Sequence, residues 1–464
     1  MRGMSKRKLS SGATNLTEGS PAKLLLRFMI PMLIGNMCQQ LYNTVDTIIV
    51  GRFVGTTALA AVGSTGTIFF LIIGTANGMA TGFTVLTSQT YGAGDRRGTG
   101  ASLANSILLS LLVAAVLTIT SLSLLPSLLR AMNTPRDMYQ YAYDYISVIC
   151  MGVVCTLYYN LFSSALRAVG NSRMPLFFLL FSSCLNIILD LALIICFGMG
   201  TRGAALATIL SQGISAVLCV AYIYRSVPEL RPDPDQWHFH GQYTGLQMRV
   251  ALPMAVQYGI TASGTLVEQS AVNLFGSVAA AGFTAAVKIH MLLSQGHFSM
   301  GQTIAAFAGQ NYGIRDTGRI RKGCSIAFRM MLVYSITTGI LVNVLLPYLL
   351  PLFFTRDVAI REILPWSRTF VRINTLFYQP LAMIFIYRSA MQGCNYSMRA
   401  MTLGIVELAA RTVLALASMR LGSYELAVAA DGAAWLAAGV YGILLYYVTM
   451  GQLERRLALS ARSG

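Results

Sequence analysis

The sequence predicts an all-α polytopic membrane protein with twelve transmembrane helices, arranged as two six-helix bundles related by a parallel pseudo-two-fold repeat. Three observations carry this. Hydrophobic residues make up 55% of the 464 positions and charged residues only 11%, whereas a soluble domain carries about 25% charged residues. The apolar residues gather in runs of about 20 or more, the length that crosses a bilayer. Residues of the first half recur in order in the second. So few charges cannot build a water-facing surface, which excludes a soluble enzyme, and so apolar a chain is not disordered.

The chain opens with a basic, polar stretch (Arg2, Lys6, Arg7, Lys8) that runs to about residue 20. No short apolar segment with a cleavage site follows, so the first apolar run is expected to span and to stay. About twelve runs meet the spanning criterion: 24–50, 57–88, 101–125, 139–166, 174–198, 203–225, 246–274, 279–310, 323–350, 368–392, 400–420 and 426–449. Turn formers separate them, among them Tyr91-Gly92-Ala93-Gly94-Asp95, Asn133-Thr134-Pro135 and Arg231-Pro232-Asp233-Pro234-Asp235. The last belongs to the most hydrophilic stretch, at mid-chain. The expected organisation is a cytoplasmic tail (1–20), an N-lobe of helices 1–6 (21–225), a cytoplasmic inter-lobe loop (226–245), a C-lobe of helices 7–12 (246–450) and a second cytoplasmic tail (451–464).

Lys and Arg number 34 against 17 Asp and Glu, a net charge of +17. Such a balance suits either nucleic acid or the cytoplasmic loops of a membrane protein. With the N-terminus inside, the even-numbered connections are cytoplasmic, and their basic residues are Arg96, Arg97, Arg167, Arg173, Arg225, Arg231, Arg249, Arg315, Arg319, Arg321, Lys322, Arg329, Arg388 and Arg399. The bias places both termini in the cytoplasm and accounts for the charge without nucleic acid; no basic patch with interleaved aromatics is present. The eight cysteines lie mostly inside apolar runs and form no CxxC pair, so they read as small buried hydrophobes rather than zinc ligands or disulfides.

The repeat is read by overlay. Pro31-Met32 falls on Pro253-Met254, Asp46 on Glu268 and Phe53 on Phe275. One residue of slippage brings Gln89, Tyr91, Gly92 and Asp95 onto Gln310, Tyr312, Gly313 and Asp316. Ala165 and Ser172 match Ala390 and Ser397, and Gly203-Ala204-Ala205 matches Gly432-Ala433-Ala434. Matched positions lie six spans apart, an even number, so the halves run in the same direction. Their expected arrangement is two bundles about an axis along the membrane normal, with a cavity between them.

Ionisable groups are expensive in hydrocarbon, so each is a functional candidate. In the first span Asn36, Gln40 and Asn43 share one helix face, as do Gln39, Asn43 and Asp46. The amides suit helix–helix hydrogen bonding; Asp46, with no basic residue on its face, suits function. Asn186 and Asp190 are i, i+4 in the fifth span, and Thr208 opens the next. Two carboxylates, an amide oxygen and a hydroxyl form a hard-oxygen set suited to a small cation or a shared proton. Gln257, Thr261, Thr265 and Glu268 make the comparable stripe of the second half. Asn36, Gln40, Asn43, Gln257, Thr261 and Glu268 are therefore candidate cavity residues. Glu407 and Arg411, i, i+4, read as a structural pair. Lys288 either neutralises Glu268 or snorkels, and Asp431 is placed toward the outer water. His238-Phe239-His240 lacks a third metal ligand. No Walker A, GxSxG, HExxH or GxGxxG motif stands in a usable context.

Three segments resemble a known family. Tyr42-Asn43-Thr44-Val45-Asp46-Thr47-Ile48-Ile49-Val50-Gly51-Arg52-Phe53-Val54-Gly55, followed by Ala58-Leu59-Ala60-Ala61-Val62-Gly63, is similar to the first-helix signature of multidrug and toxic compound extrusion (MATE) transporters. Gln89-Thr90-Tyr91-Gly92-Ala93-Gly94-Asp95 resembles the end of their second helix. Ala165-Leu166-Arg167-Ala168-Val169-Gly170-Asn171-Ser172-Arg173-Met174-Pro175 resembles the loop after the fourth. The likeness runs over about residues 20–450. It implies two six-helix lobes and cation-coupled efflux of organic, often cationic or amphipathic, compounds.

In the prokaryotic DinF-like branch the N-lobe cation site uses an Asp on helix 1, an Asn and Asp four apart on helix 5 and a Thr on helix 6. Asp46, Asn186, Asp190 and Thr208 stand there, and they serve as metal ligands if the coupling ion is Na⁺. Glu268 resembles the C-lobe acid of the NorM branch. The loop Gln392-Gly393-Cys394-Asn395-Tyr396-Ser397-Met398-Arg399 departs from the pattern by lacking its proline.

The expected function is secondary-active antiport of drug-like molecules against H⁺ or Na⁺ by alternating access, in the cytoplasmic membrane, by a monomer with no cofactor and no enzymatic activity. The alternative is a lipid-linked oligosaccharide flippase of the same wider superfamily. Such flippases carry cationic cavity residues to meet phosphate, whereas the intramembrane groups here are mainly acidic.

Overall fold

A computed structural model of the chain describes residues 13–132, 134–354 and 360–460. Arg2, Lys6, Arg7, Lys8 and Asn133 lie outside the described residues. Fifteen α-helices follow in order: α1 Pro21–Phe53, α2 Thr56–Ser64, α3 Gly66–Gly92, α4 Arg96–Ala131, α5 Arg136–Met151, α6 Val153–Ala168, α7 Arg173–Leu191, α8 Gly200–Ser226, α9 Gly241–Asn273, α10 Ser277–Gly313, α11 Thr317–Leu349, α12 Ile360–Thr375, α13 Tyr378–Gly393, α14 Ser397–Leu421 and α15 Tyr424–Ser460. The described residues contain no strand.

Ten helices are long and apolar enough to cross a membrane, and two bent pairs, α5–α6 and α12–α13, complete a set of twelve spans. The bends are 50° and 51°, and they fall in the fourth and tenth spans, which the repeat makes equivalent. The first is explained locally. Gly152 separates α5 from α6, and a Cβ there would overlap the Ile209 side chain. Glycine is the residue that lets the backbone approach so closely. The run expected over 57–88 is likewise broken, at Thr65. Its hydroxyl and that of Ser64 turn back onto the carbonyls of Val62 and Ala61, at 2.8 Å each. Such back-bonding competes with the helical ladder.

The outward faces are those of a protein solvated by lipid. Ile119, Val217, Ile340, Val413 and Leu444 are 63–68% exposed, an arrangement that water would penalise and hydrocarbon does not.

The described chain divides into two compact units. Unit 1 holds the residues up to Ser20, Leu26–Tyr258 and Gly309–Ile314; unit 2 holds Pro21–Leu25, Gly259–Ala308 and Arg315 onward. Within unit 1, α3 packs on α4 and α6, and α8 packs on α5, α6 and α7, around Phe83, Leu125, Leu129, Ile146, Leu157 and Leu161. The hydrophilic stretch 226–245 lies wholly in this unit. Asp235 pairs with Arg97, the Gln236 amide donates to the Arg97 carbonyl at 3.1 Å, and Gln236 is buried. Within unit 2, α15 packs on α12, α13 and α14, around Phe283, Ile289, Leu346, Phe370 and Val428.

Candidate functional site

Four predicted residues, Asp46, Asn186, Asp190 and Thr208, come together inside unit 1, carried by α1, α7 and α8. Asp190 is fully buried, Asn186 is 1% exposed, Thr208 8%, and Asp46 is half-buried. The Asn186 amide donates to the Thr208 hydroxyl at 3.5 Å, and that hydroxyl donates to the Ala204 carbonyl at 3.2 Å. The Asp46 and Asp190 carboxyls face each other.

The decisive feature is what these oxygens lack. Asp46 Oδ1, Asn186 Oδ1 and both carboxylate oxygens of Asp190 are buried and have no hydrogen-bond partner. Buried polar atoms are nearly always satisfied, so four orphaned acceptors at one point call for an explanation. All four are oxygens. A positively charged occupant, either a proton bridging the carboxyls or a small cation among the oxygens, would satisfy them. No group of three His, Cys, Asp or Glu side chains placed to hold a metal ion occurs among the described residues. The unit 1 site has two carboxylates and completes its set with an amide and a hydroxyl.

The backbone beside the site is irregular. The α-helical ladder of α7 ends at Leu191, and Ala192–Cys196 continue it as a π-helical turn. Such turns cost hydrogen-bond geometry and concentrate at functional sites. This one starts two residues after Asp190.

Sequence reasoning missed three neighbours. Tyr42 lies against Gln39 and Gln212 and in the field of both carboxylates, and Tyr145 shares that field. Gln212 Oε1 is a further buried oxygen without a partner. Tyr42 precedes Asp46 by four residues and Gln212 follows Thr208 by four, so helical spacing could have found both. Tyr145 comes from α5, and only the fold brings it in.

The predicted cavity residues divide between the units. Asn36, Gln40, Asn43 and Gln257 belong to unit 1, Thr261 and Glu268 to unit 2. Asn43 is exposed, and Asn36, Gln40, Gln257 and Thr261 are half-buried. Glu268 differs from the expected cavity position. It is 3% exposed, and its Oε2 stands 4.0 Å from Arg411 Nε. Arg411 also bonds Glu407 at 3.1 Å and Asp431, at 2.8 Å from Nε and 2.6 Å from Nη2. The Glu407–Arg411 pair is thus one arm of a four-residue cluster, and Asp431 turns inward to it rather than toward outer water. Lys288 is exposed, and it is Arg411 that counters Glu268. His238 and His240 lie with ring centroids 4.0 Å apart.

Repeated six-span halves with orphaned oxygens buried in their helices define a polytopic transporter rather than a soluble binding protein. The family model described as MatE matches residues 31–192 and 253–417, and the chain belongs to this family of multidrug and toxic compound extrusion transporters. The two matches begin at Pro31 and Pro253, the positions that the internal overlay superposes. The chain is similar to the probable multidrug resistance protein YpnP of Bacillus subtilis, 25% identical over 85% of this chain and 87% of that one. It is also similar to the DNA damage-inducible protein F of Escherichia coli, 27% identical over 46% of each chain. Among solved structures, an outward-facing multidrug resistance MATE transporter of the MOP superfamily shares the fold. Its TM-score is 0.88, at 23% identity, covering 97% of this chain and 100% of that one.

Proposed function

We propose that this multi-pass membrane transporter is a secondary-active multidrug antiporter. It exports organic, often cationic or amphipathic, compounds in exchange for H⁺ or Na⁺ held among Asp46, Asn186, Asp190 and Thr208. The carrying observation is the set of four buried, partnerless oxygens there. In this reading two carboxylates that face each other repel unless a cation stands between them, so cation binding changes the balance of forces among α1, α7 and α8. A ligand shifts a conformational equilibrium only through its different affinities for the two states, and a site whose oxygens are spaced for a cation in one state alone provides that difference. Tyr42 and Gln212 orient the site. The half-buried or exposed polar positions Asn36, Gln40, Asn43, Gln257 and Thr261 meet the exported compound. The protein works as a monomer in the cytoplasmic membrane with both termini in the cytoplasm.

The test is drug resistance in cells carrying Asp46→Asn. The variant keeps the shape of the carboxylate and removes its charge, so it is expected to insert at wild-type abundance and to abolish efflux. Wild-type resistance in those cells refutes the reading.

A further inference from the structure

Residues 13–20 precede the first helix and are held firmly in unit 1. Leu16 is 2% exposed, and Ala13 packs on the apolar cluster that contains Tyr91, Leu166 and Val169. The Asn15 side-chain oxygen accepts from the Thr17 amide at 2.9 Å, an Asx turn that fixes the bend of the chain. Four residues after Thr17, at Pro21, α1 begins.

This segment is stitched to two others that are distant in sequence. The Thr14 amide donates to the Val169 carbonyl at 2.9 Å. Gly170 lets the two chains come that close: its φ is +82°, and a Cβ there would strike the Thr14 carbonyl. On the other side, the Leu16 amide donates to Gln310 Oε1 at 2.8 Å, and the Leu16 carbonyl accepts from the Asn311 side-chain amide at 3.3 Å. Gln310 Nε2 donates in turn to the Ala168 carbonyl at 2.8 Å. Gln310 and Asn311 are fully buried. One carboxamide on the last turn of α10 thus closes a ring through residues 13–16 and the turn between α6 and α7.

The place of the ring in the chain gives it a consequence. Of α10, only the end from Gly309 belongs to unit 1; the turns before it belong to unit 2. The ring therefore grips the end of a helix whose body is part of the other unit. It grips with hydrogen bonds that water can replace. A carboxamide drawn away from these backbone groups is solvated, as are the groups it leaves, so the net loss on parting is small. The bonds are strong enough to bias an equilibrium and weak enough to break in every cycle.

We propose that residues 13–16 are a latch: through Gln310 they hold the end of α10 against the α6–α7 turn while the cytoplasmic side is shut, and they part from it when that side opens. The latch rests on the alternating access and the cytoplasmic N-terminus proposed above. It places a control of the conformational cycle outside the transmembrane helices, in the eight residues that lead into α1, the helix that carries Asp46. Weakening the ring removes bonds from the shut form alone, because in the open form water already satisfies the same groups.

The test reads conformation and not export, so its failure is distinguishable from failure of the proposed function. Cys38, Cys155, Cys184 and Cys196 are not fully buried, so the full chain first receives Cys38→Ser, Cys155→Ser, Cys184→Ser and Cys196→Ser. Spin labels are then attached at Arg173→Cys and Ile314→Cys, exposed positions at the start of α7 and just beyond α10. In lipid, pulsed double electron–electron resonance gives the distance between them at acid and alkaline pH, with and without Na⁺. The expected result is a short distance in every condition and a longer one whose share rises in at least one. Leu16→Pro removes the amide donated to Gln310, and Gln310→Leu removes both bonds of the carboxamide at similar volume. Each is expected to raise the ratio of long to short about fivefold or more. Thermal melting confirms that each variant is folded. A single distance in every condition and variant, or a ratio that either substitution leaves unchanged, overturns the proposal.

Discussion

At the scale of single residues, the fold explains why so few acids matter. Asp46 and Asp190 share one buried site and leave oxygens there unpaired, so the two should behave as a unit. Asp190→Asn is expected to lose efflux as completely as Asp46→Asn, and the double variant to be no worse than either. Resistance assays of the three variants check this; additive partial losses would show two independent sites. Thr208→Val should reduce efflux without abolishing it, because it removes one neutral ligand and keeps both charges. The four candidate positions were legible in the sequence, since Asn186 and Asp190 sit i, i+4 on one helix face and Asp46 is an acid on a polar stripe with no basic residue on its face. Asp431 was not legible. Nothing in its local sequence says that Arg411, twenty positions earlier, will turn the carboxylate inward.

At the scale of elements, the repeat reappears as paired local structures. Asp95 Oδ1 caps α4 by accepting from the Gly98 amide, and Asp316 Oδ1 caps α11 by accepting from the Arg319 amide, each at 2.8 Å. These are the aspartates that the overlay matches. Asp95→Ala is expected to cost about 1 kcal/mol, read as a lower melting temperature with efflux retained at permissive temperature.

The ends of α3 and α10 show a reciprocal contact inside unit 1. A Cβ on Gly92 would meet the Gln310 backbone, and one on Gly313 would meet the Gln89 backbone. The Gln310 side chain holds two further segments there, donating to the Ala168 carbonyl and accepting from the Leu16 amide, both at 2.8 Å. Gly92→Ala forces two backbones apart and is expected to destabilise by about 1–3 kcal/mol; an unchanged melting temperature would show that the crossing yields easily. The sequence gives these glycines as repeat positions, but their packing role needs the fold. The bends in the fourth and tenth spans and the break at Thr65 were missed because hydropathy measures length and apolarity, not direction.

At the scale of the whole molecule, the composition was the most informative feature. Charged residues at 11% leave few acids for the spans, and Asp46, Asp190, Glu268, Glu407 and Asp431 gather in two clusters. The cluster of unit 1 holds acids and neutral oxygens without a counter-charge, while that of unit 2 has Arg411 built in. The contrast fits the proposed function, in which the first takes its cation from solution, whereas the second holds Arg411 as a fixed one. Under the proposed function, cation-coupled export depends on unit 1. The most direct measurement is efflux from proteoliposomes with the Na⁺ and H⁺ gradients imposed one at a time, for wild type and Asp46→Asn. The account predicts that at least one gradient drives export in the wild type and that neither does in the variant. Export indifferent to both gradients, or equally driven in Asp46→Asn, would contradict it.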